Sequence, residues 1–194
     1  MEGQPYVHLN WTHVATDDHQ QLALEAARQS IVLLQNPSAV LPLKPGGKLL
    51  VAGPNSAATA LMLGNYNGAA APMQPLWTHI AATNGAQGLT ANSSAVDDAC
   101  KTDPGSVEGI PVVVAAVAAA DAVILALGGD CHEGEGTDRD FLHLPGVQSQ
   151  LFKAVLAATA GTKKKLVVVM INGGEPNGCV SRVHVYIRPA HTRC

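Results

Sequence analysis

From Gly128 to Arg139 the sequence reads Gly-Gly-Asp130-Cys131-His132-Glu133-Gly-Glu135-Gly-Thr-Asp138-Arg139. Asp130, Glu133, Glu135 and Asp138 place four carboxylates within nine residues. The glycines at 128, 129, 134 and 136 let the backbone turn tightly and come close to a ligand. A loop of this make-up can grip a ligand. Its Asp130, Cys131, His132, Glu133 and Glu135 are also suitable types for a metal ion, but adjacent residues on one short loop seldom converge on one ion without a defined spacing. A metal centre is therefore the lesser reading, and a solvated acidic turn is the bland one.

The elements that must position this loop are legible on either side of it. Ala122 to Leu127 is an unbroken apolar run that reads as a strand buried on both faces, as in a parallel sheet. In open α/β sheets ligands bind beyond the C-terminal ends of the strands, which is where the acidic loop falls. Lys48 to Ala52, closing on Gly53-Pro54-Asn55, and Leu166 to Ile171, ending in Asn172-Gly-Gly174, read as two further buried strands. Helices are predicted from Asp18, behind an N-cap at Thr16 to Asp18, from Pro75 to Thr83, from Val112 to Ala120 behind Pro111, and from Pro145-Gly146 onward. In the first of these, Ala23, Ala26, Ala27, Ser30, Ile31 and Leu34 share a face, and Ile31 to Leu34 can equally leave the helix as a short strand. In the last, Val147, Leu151, Ala154, Val155 and Ala158 share one. A short helix is expected at 57–63 and a weak strand near Leu89. Strands alternating with helices imply βαβ units and a mostly parallel, helix-flanked sheet.

Residues 1–15 read as an extended linker. Residues 176–194 are basic and irregular, with one strand indicated by the alternation of Val183, Val185 and Ile187.

Composition narrows the function classes. The 194 residues are 47% apolar, rich in Ala, Val and Gly and poor in aromatics, which suits a tightly packed α/β domain. A net charge of −3 gives no reason to expect nucleic acid or an anionic membrane as partner, and Lys163-Lys164-Lys165 reads as a solvated lead-in to a strand. No apolar run approaches the roughly 18 residues of a membrane span. The start Met1-Glu-Gly-Gln-Pro is no secretory signal, which leaves a cytosolic chain or an N-terminus that lies further upstream. Cys100, Cys131, Cys179 and Cys194 form no CxxC pair. The sequons at Asn10 and Asn92 matter only in a secretory setting.

Nine segments, in order, resemble the C-terminal domain of glycoside hydrolase family 3, above all its β-xylosidase-like members. They are His19-Gln-Gln-Leu-Ala-Leu-Glu-Ala-Ala27, Ser30-Ile-Val-Leu-Leu-Gln-Asn36, Leu41-Pro-Leu43, Val51-Ala-Gly-Pro-Asn55, Leu63-Gly-Asn-Tyr66, Leu127-Gly-Gly-Asp130, Glu133-Gly-Glu-Gly-Thr-Asp-Arg139, Leu142-His-Leu-Pro-Gly146 and Ile171-Asn-Gly-Gly174.

The resemblance implies a three-layer (α/β)6 sandwich over 16–175, with 1–15 as lead-in and 176–194 as an atypical tail that leaves the sandwich incomplete. It implies a retaining exo-β-glycosidase of β-xylosidase or β-glucosidase type, acting on β-linked oligosaccharides or glycosides without a cofactor. The nucleophilic aspartate of the family lies on a (β/α)8-type barrel expected on the N-terminal side. Members are often secreted or held in cell wall or vacuole. The general acid/base matches Glu133, with Glu135 as the alternative because this loop varies in length. Asp130, Asp138 and Arg139 are implied to contact substrate or fix the loop. A retaining mechanism needs two carboxyl groups about 5–5.5 Å apart, one ionised and one protonated. Repulsion from Glu135 and Asp138 would help Glu133 hold its proton, and Arg139 would oppose it. Without the barrel, this chain alone is expected to hydrolyse nothing measurable. The alternative is a non-catalytic carbohydrate-binding or scaffold domain that retains the fold.

Overall fold

A computed structural model of the chain describes residues 3–36, 39–59, 72–84, 107–129, 144–172 and 182–188. After a 3-10 turn at Trp11–His13 the elements run α1 (Asp17–Ser30), β1 (Ile31–Leu33), β2 (Leu49–Ala52), α2 (Leu76–Asn84), α3 (Ile110–Val117), β3 (Ala122–Gly128), α4 (Gln148–Thr159), β4 (Lys165–Asn172) and β5 (Arg182–Arg188). One sheet takes the order β1-β5-β4-β3-β2. β2, β3 and β4 are parallel neighbours, β5 runs antiparallel to β4, and β1 runs parallel to β5.

The core follows from the two-residue period of a strand, which sends successive side chains to opposite faces. In register, Leu50, Val123 and Leu166 form one row and Ala52, Leu125 and Val168 the next. Both rows meet Val113 and Val117 of α3 and Leu151 and Val155 of α4. On the other face Leu49, Val51, Ala122, Ile124 and Val167 pack with Val40, and Leu41, Leu43, Trp77 and Ile80 lie against them. Helices on both faces of a mostly parallel sheet make three layers, as expected for the α/β class.

The amino ends of the strands are tied by side chains. Asp121 Oδ2 accepts from the Lys48 amide at 2.9 Å, and Lys164 Nζ donates to the carbonyls of Ala118 and Ala120 at 2.9 and 2.6 Å. Lys164 is therefore no idle lead-in: it satisfies orphan carbonyls at the end of α3. Asn84 accepts from the Gly46 amide at 3.1 Å and donates to the Gly47 carbonyl at 2.8 Å.

Three regions differ from expectation. α1 forms as predicted, with Thr16 Oγ1 accepting from the His19 amide, Asp17 and Asp18 in its first turn, and a Gln29–Glu25 hydrogen bond one turn apart. Yet no residue of α1 is buried, and Leu22 is 68% exposed. Its cap, its charge placement and that i,i+4 pair support the helix locally, while the Ala23–Ala26–Ala27 face covers nothing among the described residues. The helix expected at 57–63 is absent over 57–59, the part described there; Pro54 instead starts a 3-10 turn at Pro54–Ser56. The lead-in over 3–15 is exposed and built of turns rather than an extended segment, with Asn10 Oδ1 accepting from Thr12 N and Oγ1. The stretch near Leu89 lies outside the described residues. In the tail the expected strand forms, as β5, and inserts between β1 and β4. No helix among the described residues is long and apolar enough to cross a membrane.

Candidate functional site

The carboxyl ends of β2, β3 and β4 meet at glycines. Gly53, after β2, has φ +102°, and an added Cβ would collide with the backbone of Ala126 in β3. Gly128 ends β3 with φ +136°, and a Cβ there would collide with the Ile171 carbonyl in β4. Both the positive φ and the close approach exclude a side chain, so these two positions require glycine.

The backbone where β3 runs out is held on every side. Gln148, buried at the first position of α4, accepts from the Gly128 amide through Oε1 at 2.9 Å and donates through Nε2 to the Gly128 carbonyl at 3.0 Å. One side-chain amide thus serves both polar groups of one residue. The Gly129 amide donates to the Ile171 carbonyl at 2.9 Å. Asn55 Nδ2 reaches the Gly129 carbonyl at 3.4 Å. Asn55 is only 4% exposed, and its Oδ1 finds no donor among the described residues. A buried acceptor without a partner is uncommon enough to need an explanation.

Asp130, Glu133, Glu135, Asp138 and Arg139 begin one residue beyond this anchorage and lie outside the described residues, as does the metal reading of Asp130 to Glu135. Among the described residues no three His, Cys, Asp or Glu side chains gather as metal ligands. What the structure brings together is the surroundings of the backbone that leads to Asp130: Gly53 and Asn55 from the end of β2, Gly128 and Gly129 from β3, Ile171 from β4 and Gln148 from α4. Sequence reasoning singled out Gly53-Pro54-Asn55 as a landmark and missed Gln148. Its signal was a polar residue three and seven positions before Leu151 and Val155, on the helix face those two residues share.

A cleft of about 480 Å³ opens at the opposite, amino end of the strands, between Leu43, Lys44, Asp121, Thr162 and Lys163. It is far from the anchored loop root, at the edge where parallel sheets do not place their ligands.

Helices on both faces of a mostly parallel sheet, with glycines required where β2 and β3 end, define an α/β domain. The chain belongs to glycoside hydrolase family 3: residues 31–179 match the description "Glycosyl hydrolase family 3 C-terminal domain". It is 40% identical over 178 residues to Beta-D-xylosidase 3 of Arabidopsis thaliana, covering 88% of this chain and 21% of that protein. Against Beta-xylosidase/alpha-L-arabinofuranosidase 1 of Medicago sativa it is 36% identical over 180 residues, with the same two shares. Among solved structures it is similar to a GH3 exo-β-xylosidase in complex with a xylobiose aziridine probe, with TM-score 0.72 and 27% identity over 94% of this chain and 24% of that one. A β-glucosidase from Listeria innocua in complex with glucose gives TM-score 0.67 and 26% identity over 95% of this chain and 25% of that one. The chain thus spans about a fifth of the length of the curated relatives it matches.

Proposed function

We propose that this chain is the C-terminal part of a retaining, exo-acting β-glycosidase of β-xylosidase or β-glucosidase type, and that its loop supplies the general acid/base to a site shared with a barrel domain. The observation that carries this reading is the 40% identity to a β-D-xylosidase over 178 residues. Glu133 is the acid/base, with Glu135 as alternative, and the nucleophile is an aspartate of the barrel.

In the first step the protonated carboxyl gives its proton to the glycosidic oxygen as the C1–O bond breaks and the aspartate closes on C1. The loop carboxylate then takes a proton from water as that water attacks C1 and frees the aspartate. Asp130, Asp138 and Arg139 grip the sugar or hold the loop. Two carboxyl groups and water complete the cycle, and the substrate is a β-linked oligosaccharide or glycoside.

The test joins residues 1–194 behind the barrel of the Arabidopsis relative and assays xylobiose and nitrophenyl β-glycosides. The joined protein should hydrolyse both, the 194-residue chain alone neither. Glu133→Gln should cost about 10²–10⁴-fold on xylobiose. Azide, a nucleophile that needs no base, should restore turnover of the nitrophenyl substrate. If the joined protein folds and binds sugar but hydrolyses nothing, the catalytic reading falls and a non-catalytic carbohydrate-binding domain replaces it.

A further inference from the structure

Asn10-Trp11-Thr12 is the one Asn-x-Ser/Thr triplet with a non-proline centre among the described residues; that at Asn92 lies outside them. By spacing alone such a triplet says little. Here it is folded: Asn10 Oδ1 accepts from the Thr12 amide at 2.9 Å and from Thr12 Oγ1 at 2.7 Å, and the Asn10 amide donates to His13 Nδ1 at 3.2 Å. These contacts stay within residues 10–13, and residues 3–15 are all exposed, so the turn stands without help from the sheet. It can form as soon as the chain emerges. Asn10 Nδ2 makes no hydrogen bond among the described residues, and an added group would displace nothing packed against it.

An amide nitrogen is a poor nucleophile because its lone pair is delocalised onto the oxygen. When Nδ2 attacks and gives up a proton, negative charge moves onto Oδ1. Two donors already stand there, within the roughly 2.7–3.1 Å range that stabilises a developing oxyanion. Oδ1 is thus held by the donors its charged form needs, and Nδ2 is left open. Thr12 supplies both of those donors, one from its backbone and one from its hydroxyl.

We propose that Asn10 is an acceptor for N-linked glycosylation, taking an oligosaccharide from a polyprenyl diphosphate donor through the transferase of a secretory membrane. The bond from Asn10 Nδ2 to C1 of the first sugar forms as the bond from C1 to the diphosphate oxygen breaks. Polyprenyl diphosphate leaves, and the Nδ2 proton passes to a base of the transferase. The inference does not depend on the glycosidase reading.

The experiment places residues 1–194 behind a cleavable leader in a eukaryotic secretory host and reads the retained and secreted pools together, with leader removal marking entry into the pathway. The sugar is added on entry, so chains that fail to fold still report. Peptide N-glycosidase leaves aspartate where a glycosylated asparagine stood, and peptide mapping against an untreated sample should find that change at position 10, resolved from position 92. Thr12→Val, which keeps the shape but not the hydroxyl, should abolish the modification at Asn10, and Thr12→Ser should retain it. An unmodified Asn10 in leader-cleaved chains, or a Thr12→Val chain modified as fully as the unchanged one, overturns the proposal.

Discussion

The two ends of the parallel strands are finished differently. At the amino end, Asp121, Asn84 and Lys164 each tie backbone to backbone: Asp121 takes the Lys48 amide, Asn84 bridges Gly46 and Gly47, and Lys164 closes two carbonyls of the α3 terminus. At the carboxyl end the side-chain ties are two amides, Gln148 and Asn55, and they converge on Gly128 and Gly129, with an acceptor of Asn55 left over. The first edge is closed by these ties, and from the second the chain runs on to Asp130, outside the described residues. The described cleft lies among the ties of the amino end. Concavity is weaker evidence here than the pattern of polar contacts.

The largest break in this contrast comes from Gly128→Ala. The residue would carry a side chain at φ +136° and drive it into the Ile171 carbonyl, so β3 and β4 must part. A loss of about 3 kcal/mol or more is expected, read as a fall in thermal midpoint by circular dichroism. Gln148→Leu is milder. It keeps the bulk but strips Gly128 of both partners in a buried place, and should cost about 2–3 kcal/mol in urea unfolding. In the joined two-domain protein it should also weaken hydrolysis. Asp121→Ala is the smallest of the three. The Lys48 amide it abandons is exposed and water replaces the carboxylate, so about 1 kcal/mol is lost in the same unfolding measurement and hydrolysis is unchanged. An Asp121 variant that crippled turnover would erase the distinction between the two edges.

Much of the frame was legible because it obeys local periodicity. β3 and β4 are apolar runs with no break, α4 repeats its apolar residues at helical spacing, and Pro111 stands in the first turn of α3. Alanine periodicity in α1 misled, since small side chains at the right spacing mark a helix without saying that anything covers it. Over 57–59 the expected helix does not form, because a 3-10 turn begins earlier, at Pro54. Gln148 escaped notice for a different reason. Its partner is the backbone of Gly128, twenty positions away, and only the completed sheet brings them together. The candidate residues Glu133 and Glu135 were singled out by type, as carboxylates following a buried strand, and they lie outside the described residues.

The placement of β5 bears on how the chain is made. Ile31, Val32 and Leu33 pair with Val183, His184 and Val185, and β5 alone connects β1 to the rest of the sheet among the described strands. On the ribosome, β1 emerges long before the residues it pairs with, and contacts so distant in sequence close slowly. The core of β2, β3 and β4 can assemble before β5 has been made, whereas β1 must wait, with Ile31 to Leu33 open to chaperones or to a neighbouring chain, until residues 182–188 have emerged.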